Sequence, residues 1–272
     1  MKNWLGYTLL TIATISLASG AALAQKKSGD SMECNDWSGN NRLQNHCEIK
    51  EQTLPVGGTL TVDAGRNGGV SVRGWDRGEI MVRARLQTSA PSQGEADELA
   101  KQILIETNGL RIQAEGPWER KDFYWSVSYQ IFVPRRSDLS LEARNGGISI
   151  SDVHGKIEFN AVNGGVSLLR VGGNVHGSTT NGGLNVELSG DRWDGEELDV
   201  KTTNGGVNMS VPENYSAHLE TGTVNGNVSV DFPVTVQGRI TKEISVNLGS
   251  GGPTVRAMTT NGGIRLKRSA SN

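Results

Sequence analysis

Three features that the sequence lacks exclude whole classes of protein. No stretch after residue 24 contains about eighteen consecutive apolar residues, the length that a membrane-spanning helix needs, so we expect a soluble mature chain without a membrane span. Positive charge is not in excess, because 27 lysines and arginines stand against 29 aspartates and glutamates, and the net charge of −2 argues against a nucleic-acid partner. Aromatic residues make up only 5% of the chain, whereas glycine occurs 36 times, and this composition suits a turn-rich β protein.

Ligands for a metal or a cofactor are also scarce. The chain has four histidines and two cysteines, and it contains no H-E-x-x-H motif. No aspartate recurs after the glycines, as it does in the repeats of calcium-binding β-rolls. We therefore expect neither a metal site nor a cofactor.

Residues 1–24 have the pattern of a secretory signal peptide. Lys2 supplies the positive start, Leu9–Leu17 the apolar middle, and Ala22-Leu23-Ala24 the small-residue cleavage signal. A retained membrane anchor is the weaker interpretation, because the apolar run is short and contains several Thr and Ser residues. The absence of a Cys at the cleavage site argues against a lipoprotein anchor. The sequence therefore predicts an exported protein.

The two cysteines, Cys34 and Cys47, lie in an N-terminal segment, residues 25–55, that is otherwise polar and irregular. In an exported protein we expect them to form a disulfide, which stabilises the fold by about 3 kcal/mol on the chain-entropy model. The alternative is a metal pair with His46, but this group has too few ligands at the right spacing.

What the chain has in excess is one repeated phrase, Asn-Gly-Gly or a close variant. Its asparagines are Asn67, Asn145, Asn163, Asn181, Asn204, Asn225 and Asn261. Between Asn145 and Asn204 the spacings are 18, 18 and 23 residues (163−145, 181−163, 204−181). Apolar residues recur three and five positions after each Asn and six before most of them, with polar residues between, which is the period-two pattern of half-buried strands.

Each repeat is therefore expected to be strand, turn, strand, turn. We predict an all-β fold, a β-solenoid or β-helix-like stack of short strands with Asn-Gly-Gly at the corners, since Asn and Gly tolerate positive φ. Asparagines at one recurring corner could hydrogen-bond in a ladder. The rival interpretation is an antiparallel meander, in which Asn-Gly marks ordinary hairpins.

A single domain is expected over residues 56–272, with a β pattern from Thr59 and regular coils, about seven in all, over 138–272. The 36-residue gap between Asn225 and Asn261 is twice 18, which suggests a further coil with a degenerate corner. The final strand, 264–268, alternates apolar and basic residues and would discourage end-to-end stacking. One amphipathic helix follows a capping box at Ser92, with an apolar stripe that runs to Leu104, and is expected to cap the stack.

Two clusters offer candidate chemistry. Exposed aromatic rings could stack on sugar faces, and we single out Trp118 and Tyr124 as ligand-binding candidates near the rim, with Trp125 and Tyr129 assigned to the core.

The densest carboxylate cluster could supply the paired acids of a glycan-cleaving enzyme, although a solvated loop is the simpler interpretation. Its members are Asp191, Asp194, Glu196, Glu197 and Asp199. The aligned columns carry mainly Ser, Thr and Asn outside, which disfavours an enzyme.

Several segments together resemble a bacterial domain-of-unknown-function family whose members carry the label of adhesins. They are RNGGVSVRGWD at 66–76, EADELA at 95–100, WSVSYQIFVP at 125–134 and the recurring NGG phrases. The resemblance covers roughly Cys47 onward. It implies an exported, envelope-associated β-repeat solenoid, located in the periplasm or at the cell surface of a bacterium, and it supplies no catalytic residues.

The function that we expect is non-catalytic, namely adhesin-like binding or structural work at the bacterial cell envelope. The partner is a surface glycan or an envelope protein. The alternatives are a polysaccharide-acting lyase or hydrolase on a β-helix scaffold, and a periplasmic accessory protein that binds another envelope protein.

Overall fold

Alternating apolar and polar residues form short strands throughout the computed structural model, which describes residues 32–34, 42–118, 120–233 and 242–269. The predicted signal peptide lies outside the described residues. None of the described residues forms a helix long and apolar enough to cross a membrane. The elements are, in chain order, β1 (Gln44–Leu54), β2 (Leu60–Asp63), β3 (Val70–Trp75), β4 (Ile80–Ala90), α1 (Gln93–Lys101), β5 (Leu104–Asn108), β6 (Arg111–Glu115), β7 (Tyr124–Pro134), β8 (Leu139–Ala143), β9 (Ile148–Ser151), β10 (His154–Asn163), β11 (Val166–Leu169), β12 (Gly172–Asn181), β13 (Leu184–Glu187), β14 (Glu197–Asn204), β15 (Val207–Val211), β16 (Ala217–Asn225), β17 (Val228–Val230), β18 (Glu243–Leu248), β19 (Thr254–Asn261) and β20 (Ile264–Arg268).

The strands form two sheets of ten, and the chain alternates between them along most of its length. The order in the first sheet is β1-β4-β7-β3-β9-β11-β13-β15-β20-β17, and in the second it is β18-β16-β19-β14-β12-β10-β8-β2-β6-β5. Each sheet has two edge strands, so neither is closed. Most neighbours are parallel, and antiparallel pairs occur only towards the ends, at β1–β4, β4–β7, β5–β6 and β16–β18 of the described strands. This mostly parallel pairing excludes the antiparallel meander.

Equivalent residues of successive repeats lie side by side, in the columns that the sequence alignment predicts. One column of the first sheet contains Val70, Ile148, Val166, Leu184, Val207, Ile264 and Val228. The matching column of the second sheet contains Leu60, Leu139, Ile157, Val175, Leu198, Val255 and Leu219. All of these side chains except Val228 are buried, and both columns belong to one hydrophobic core. Each such side chain stabilises the fold by about 1.5–3 kcal/mol.

The coils do not stack in sequence order at the C-terminal end, contrary to the prediction. β19 lies between β14 and β16, and β20 lies between β15 and β17, so the last coil is inserted between two earlier ones. The described residues of the 36-residue gap, up to 233 and from 242, form no extra parallel coil, and β18 pairs antiparallel with β16. The basic final strand is therefore interior to its sheet and does not protect an end.

The Asn-Gly-Gly phrases have a different physical basis from the one predicted. None of their residues is among those with positive φ. Instead, neighbouring repeats approach very closely. A Cβ on the first glycine of a phrase, such as Gly146 or Gly164, would overlap the carbonyl oxygen of the equivalent glycine in the preceding repeat. Positive φ occurs at the other turn of the repeat, where Gly173 has φ +101°.

The N-terminal segment contains a strand that the sequence analysis missed. β1 pairs with β4 over its whole length, from Gln44 to Leu54, although most of its side chains are polar and only Leu54 is buried. Because β1 is an edge strand, it lacks the apolar alternation of a half-buried strand. The predicted disulfide is confirmed, since Cys34 and Cys47 are joined with an Sγ–Sγ distance of 2.05 Å.

The predicted helix is confirmed, but it ends before the apolar pattern in the sequence, which continues to Leu104. Ser92 is the N-cap, and its hydroxyl accepts a hydrogen bond from the backbone N–H of Glu95. The helix ends at Lys101, so Leu104 lies in β5, where it is exposed. α1 packs against β4 and β1, at the end of the first sheet.

Candidate functional site

The most exposed large apolar side chain in the described part of the chain is Trp118, with 90% of its surface accessible. It lies in the loop between β6 and β7. Trp118 lines two clefts. The helix cleft, about 270 Å³, is lined by Glu95, Glu98, Leu99, Gln102, Pro117, Trp118, Arg120, Phe123 and Trp125. The asparagine cleft, about 320 Å³, is lined by Gly65, Arg66, Asn67, Ala114, Glu115, Gly116, Pro117, Trp118 and Trp125.

Local contacts hold this loop in place. The indole N–H of Trp125 donates to the carbonyl oxygen of Pro117 over 2.9 Å, which fixes the residue before Trp118. Phe123 N–H donates to the carbonyl of Arg120 over 3.0 Å, and the guanidinium carbon of Arg120 lies 4.0 Å from the centre of the Phe123 ring. These contacts hold the described residues on either side of Trp118.

The other aromatic residues divide between surface and core as the sequence suggests. Tyr124, at the start of β7, is 45% exposed, whereas Tyr129 is buried and Trp125 is half-buried. Burial raises the pKa of the Tyr129 phenol. No cleft described above includes Tyr124, so the two candidates are both exposed, but only Trp118 lines a cleft.

The seven repeated asparagines are joined by their side chains in a single row. Six bonds of 2.8–3.0 Å join them, in each of which an amide N–H₂ group donates to the amide oxygen of the preceding member of the row, in the order Asn67, Asn145, Asn163, Asn181, Asn204, Asn261 and Asn225. A row of this kind satisfies the side-chain amides that stacking brings together. The row reaches the asparagine cleft through Asn67.

The carboxylates between Asp191 and Asp199 do not converge on one point. Asp194 lies 3.7 Å from His154, Glu197 lies 3.4 Å from His176, and Glu196 accepts a hydrogen bond from the Asn174 amide. These are three separate contacts, made largely by exposed groups. In the ranges that the structure describes, no three His, Cys, Asp or Glu side chains are grouped so that they could hold a metal ion.

The outer face of the second sheet carries a column of charge that sequence reasoning missed. Register places Ser140, Glu158, His176, Asp199, Arg256 and Glu220 side by side. Part of the column lines a groove of about 440 Å³. The expectation of mainly Ser, Thr and Asn outside is therefore wrong for this sheet. Glu158 and His176 lie thirteen positions after Asn145 and Asn163, so aligning these positions would have revealed them. Asp199 lies eighteen positions after Asn181, because that repeat is longer, and the same alignment misses it.

Electrostatics at this column do not favour catalysis. A hydrogen bond from Lys156 lowers the pKa of Glu158 below its usual value of 4.5. A general acid in a glycan-cleaving site needs the opposite, a raised pKa.

Comparison with known proteins gives a family and several structural neighbours. The chain is similar to a candidate cell adhesion protein from Clostridium sporogenes ATCC 15579, with 14% identity, a TM-score of 0.43, and coverage of 83% of this chain and 100% of that chain. It is also similar to a candidate adhesin from Bacteroides fragilis NCTC 9343, with 11% identity, a TM-score of 0.30, and coverage of 82% and 97%. A candidate adhesin from Parabacteroides merdae ATCC 43184 has 11% identity, a TM-score of 0.35, and coverage of 80% and 96%.

The search of curated proteins found no match. The family described as Toastrack DUF4097 matches residues 14–267, which is most of the 272-residue chain. The chain therefore belongs to the Toastrack DUF4097 family.

Proposed function

We propose that this chain is a non-catalytic, exported binding protein of the bacterial cell envelope with an adhesin-like role. The observation that carries the proposal is Trp118, a side chain that is 90% exposed and lines two clefts. A single exposed apolar residue needs no explanation, but a Trp that lines two clefts, with bonded residues on either side, has the features of a binding hot spot. Tyr124 is a second exposed aromatic residue, and in this proposal it is a separate candidate contact outside the two clefts.

In this proposal the two sheets are the long faces of a β-solenoid, and the Asn-Gly-Gly phrases are its corners. The parallel register of β9, β11, β13 and β15 and the row of asparagine amides support it. Such a scaffold is stiff, and it presents an extended surface to a partner. The proposed organisation is a signal peptide, 1–24, an N-terminal segment, 25–55, and one β-repeat domain, 56–272. The neighbours that are named as candidate adhesins are consistent with export, and the location is the periplasm or the cell surface.

The second candidate function is a polysaccharide-acting enzyme on the outer face of the second sheet. Its supporting observation is that Glu158 and Asp199 lie on strands two spacings apart. That separation is about 9.5 Å, the upper end of the range for the two carboxyl groups of inverting glycosidases. His176 occupies the strand between them, and the pKa of Glu158 is lowered, so binding remains the favoured function.

A panel of cell-wall and surface polysaccharides tests both candidates with the purified protein. Each mixture is scored for retained protein and for shortened glycan. The proposal expects retention without shortening, and weaker retention of Trp118→Ala. Val224→Ala is the matched control, because Val224 is 61% exposed and lies at the opposite end of the stack.

Shortened glycan that disappears in Glu158→Gln would establish the enzyme instead. Retention on envelope proteins but on no glycan would identify a protein partner and an accessory role.

A further inference from the structure

We infer that Trp118 is the stacking platform of a two-subsite groove for a neutral saccharide chain, with one sugar ring in the helix cleft and the next in the asparagine cleft. The inference rests on the proposed binding function and names its ligand class. Its geometric basis is that both clefts are lined by Pro117, Trp118 and Trp125, so the two clefts adjoin at these three residues.

The sizes of the clefts point to a chain of small units. Their volumes, about 270 and 320 Å³, are each close to the lower limit of about 300 Å³ for small-molecule sites. A ligand that fills both clefts must pass the residues that line each of them, Trp118 among them. Two rigid rings joined by a short linkage fit this arrangement.

The described backbone on either side of Trp118 is held before a ligand binds. The Trp125 indole N–H donates to the Pro117 carbonyl, and Arg120 stacks on Phe123. The fixed φ of Pro117 restricts the backbone before Trp118 further. Less backbone freedom is therefore lost at these residues on binding, which favours a weakly interacting ligand such as a sugar.

The rims of the clefts offer both hydrogen-bond acceptors and donors, because Arg120 lines the helix cleft and Arg66 lines the asparagine cleft. Glu95 and Glu98 border the helix cleft together with the Gln102 amide, and Glu115 borders the asparagine cleft with the Asn67 amide. A carboxylate can only accept, whereas a sugar hydroxyl both donates and accepts, so the two groups are complementary.

Charge narrows the ligand class further. The clefts contain three carboxylates against the guanidinium groups of Arg66 and Arg120, and the Arg120 group is stacked on Phe123. Glu98 is also paired with Lys101 over 2.6 Å, so the charge around the clefts is nearly balanced, which gives a charged chain no advantage and suits a neutral one.

A proline-rich peptide is the other ligand that aromatic grooves bind. It offers carbonyl oxygens but few donors, so it would leave the carboxylates of Glu95, Glu98 and Glu115 without a donor from the ligand. Sugar hydroxyls can pair with the carboxylates and with the guanidinium groups, which favours a sugar chain over a peptide.

Equilibrium binding to defined ligands tests the inference. The probes are neutral gluco-, malto- and chito-oligosaccharides of one, two and six units, an oligogalacturonate of six units, and a decaproline peptide. We expect affinity to rise about tenfold from one unit to two for at least one neutral series, and Trp118→Ala to lose about tenfold or more. Trp118→Phe should retain part of the affinity, and Val224→Ala should match the wild type.

Tryptophan fluorescence adds a readout that a merely structural role would not change. Stacking transfers an exposed indole into a drier environment, so binding should shift the emission to shorter wavelength, and Trp118→Phe should lose that shift while it still binds.

Gln102→Ala should weaken chains of two units more than single sugars if both clefts are used.

Several results would overturn the inference. Binding of neutral chains that is unchanged in Trp118→Ala contradicts this site and leaves the proposed binding function intact. Preference for oligogalacturonate or decaproline contradicts the ligand class. If no probe binds but the protein is retained on isolated envelope material, the saccharide assignment fails alone, and if neither occurs, the binding function fails with it.

Discussion

Separate replacement of the two glycines of one Asn-Gly-Gly phrase by alanine should show that only the first glycine has no room for a side chain. A Cβ on Gly164 would overlap the carbonyl oxygen of Gly146 in the neighbouring coil, whereas a Cβ on Gly165 would lie 3.4 Å from the carbonyl oxygen of Gly183. Neither glycine has positive φ, so backbone strain does not distinguish them. Gly164→Ala should therefore be strongly destabilising, and Gly165→Ala should not.

The magnitude follows from the bonds on either side of the overlap. The coil must move by about 1 Å to restore a carbon–oxygen contact of about 3.3 Å. Such a shift would break the bonds from Asn163 N–H to the Arg144 carbonyl, 2.7 Å, and from Ile148 N–H to the Gly165 carbonyl, 3.0 Å. Each buried polar group left without a partner costs about 1–3 kcal/mol. The lower entropy of the unfolded alanine chain offsets about 0.4–1 kcal/mol, which leaves a net loss of about 2–5 kcal/mol.

Urea unfolding followed by far-ultraviolet circular dichroism measures both variants against the wild type. Gly164→Ala should lower the midpoint with little change in slope, and Gly165→Ala should leave it unchanged or raise it slightly. Equal effects of the two substitutions would refute the close-approach explanation. A large loss for Gly165→Ala alone would point to a conformational demand at the second glycine.

Three further predictions concern other parts of the fold. Gly177→Ala places a Cβ 2.5 Å from the Phe159 ring and should lower the free energy of unfolding by about 1–3 kcal/mol; Phe159→Leu in the same chain should remove most of that loss. A hydrogen bond from Arg170 lowers the pKa of Asp152 below 3.8, so its stabilisation is present above pH 4 and is lost as the pH falls through the folded pKa. The urea midpoint of Asp152→Asn should therefore depend less on pH below 4 than that of the wild type, and equal slopes would contradict the pairing. Ser92→Ala removes the N-cap of α1 and should cost about 1 kcal/mol by the same assay, and an unchanged midpoint would show that the helix is held by packing alone.

Much of the strand register could be predicted because the apolar columns are local in sequence. The positions three and five residues after Asn145 recur after Asn163 and Asn181, and parallel pairing preserves that alignment. Coil order could not be predicted in the same way. Ile264 and Leu266 match the apolar column of any neighbour, so the alignment does not show that β20 is inserted between β15 and β17.

Elements that lack a periodic pattern of apolar residues could not be recognised from the sequence. β1 has no buried alternation, since it is an edge strand held by pairing with β4 and by the disulfide at Cys47. The charge column of the second sheet was hidden because one repeat is five residues longer, which shifts Asp199 out of the simple alignment with His176.

The sequence drew attention to the exposed aromatic residues, but it did not show the clefts that Trp118 lines. Trp118 and Tyr124 could be selected as aromatic residues in a polar stretch, and both are exposed. The clefts depend on tertiary contacts, since α1 provides one side of the first and the segment before β3 one side of the second. No local pattern connects Glu98 or Asn67 with Trp118.

The most direct test of the binding account compares the wild type with Trp118→Ala on isolated bacterial envelope polysaccharides, with retained protein and released reducing ends measured in the same samples. The account predicts that the wild type is retained, that the variant is largely lost from the retained fraction, and that no reducing ends are released. Equal retention of the two proteins, or release of reducing ends by the wild type, would contradict it.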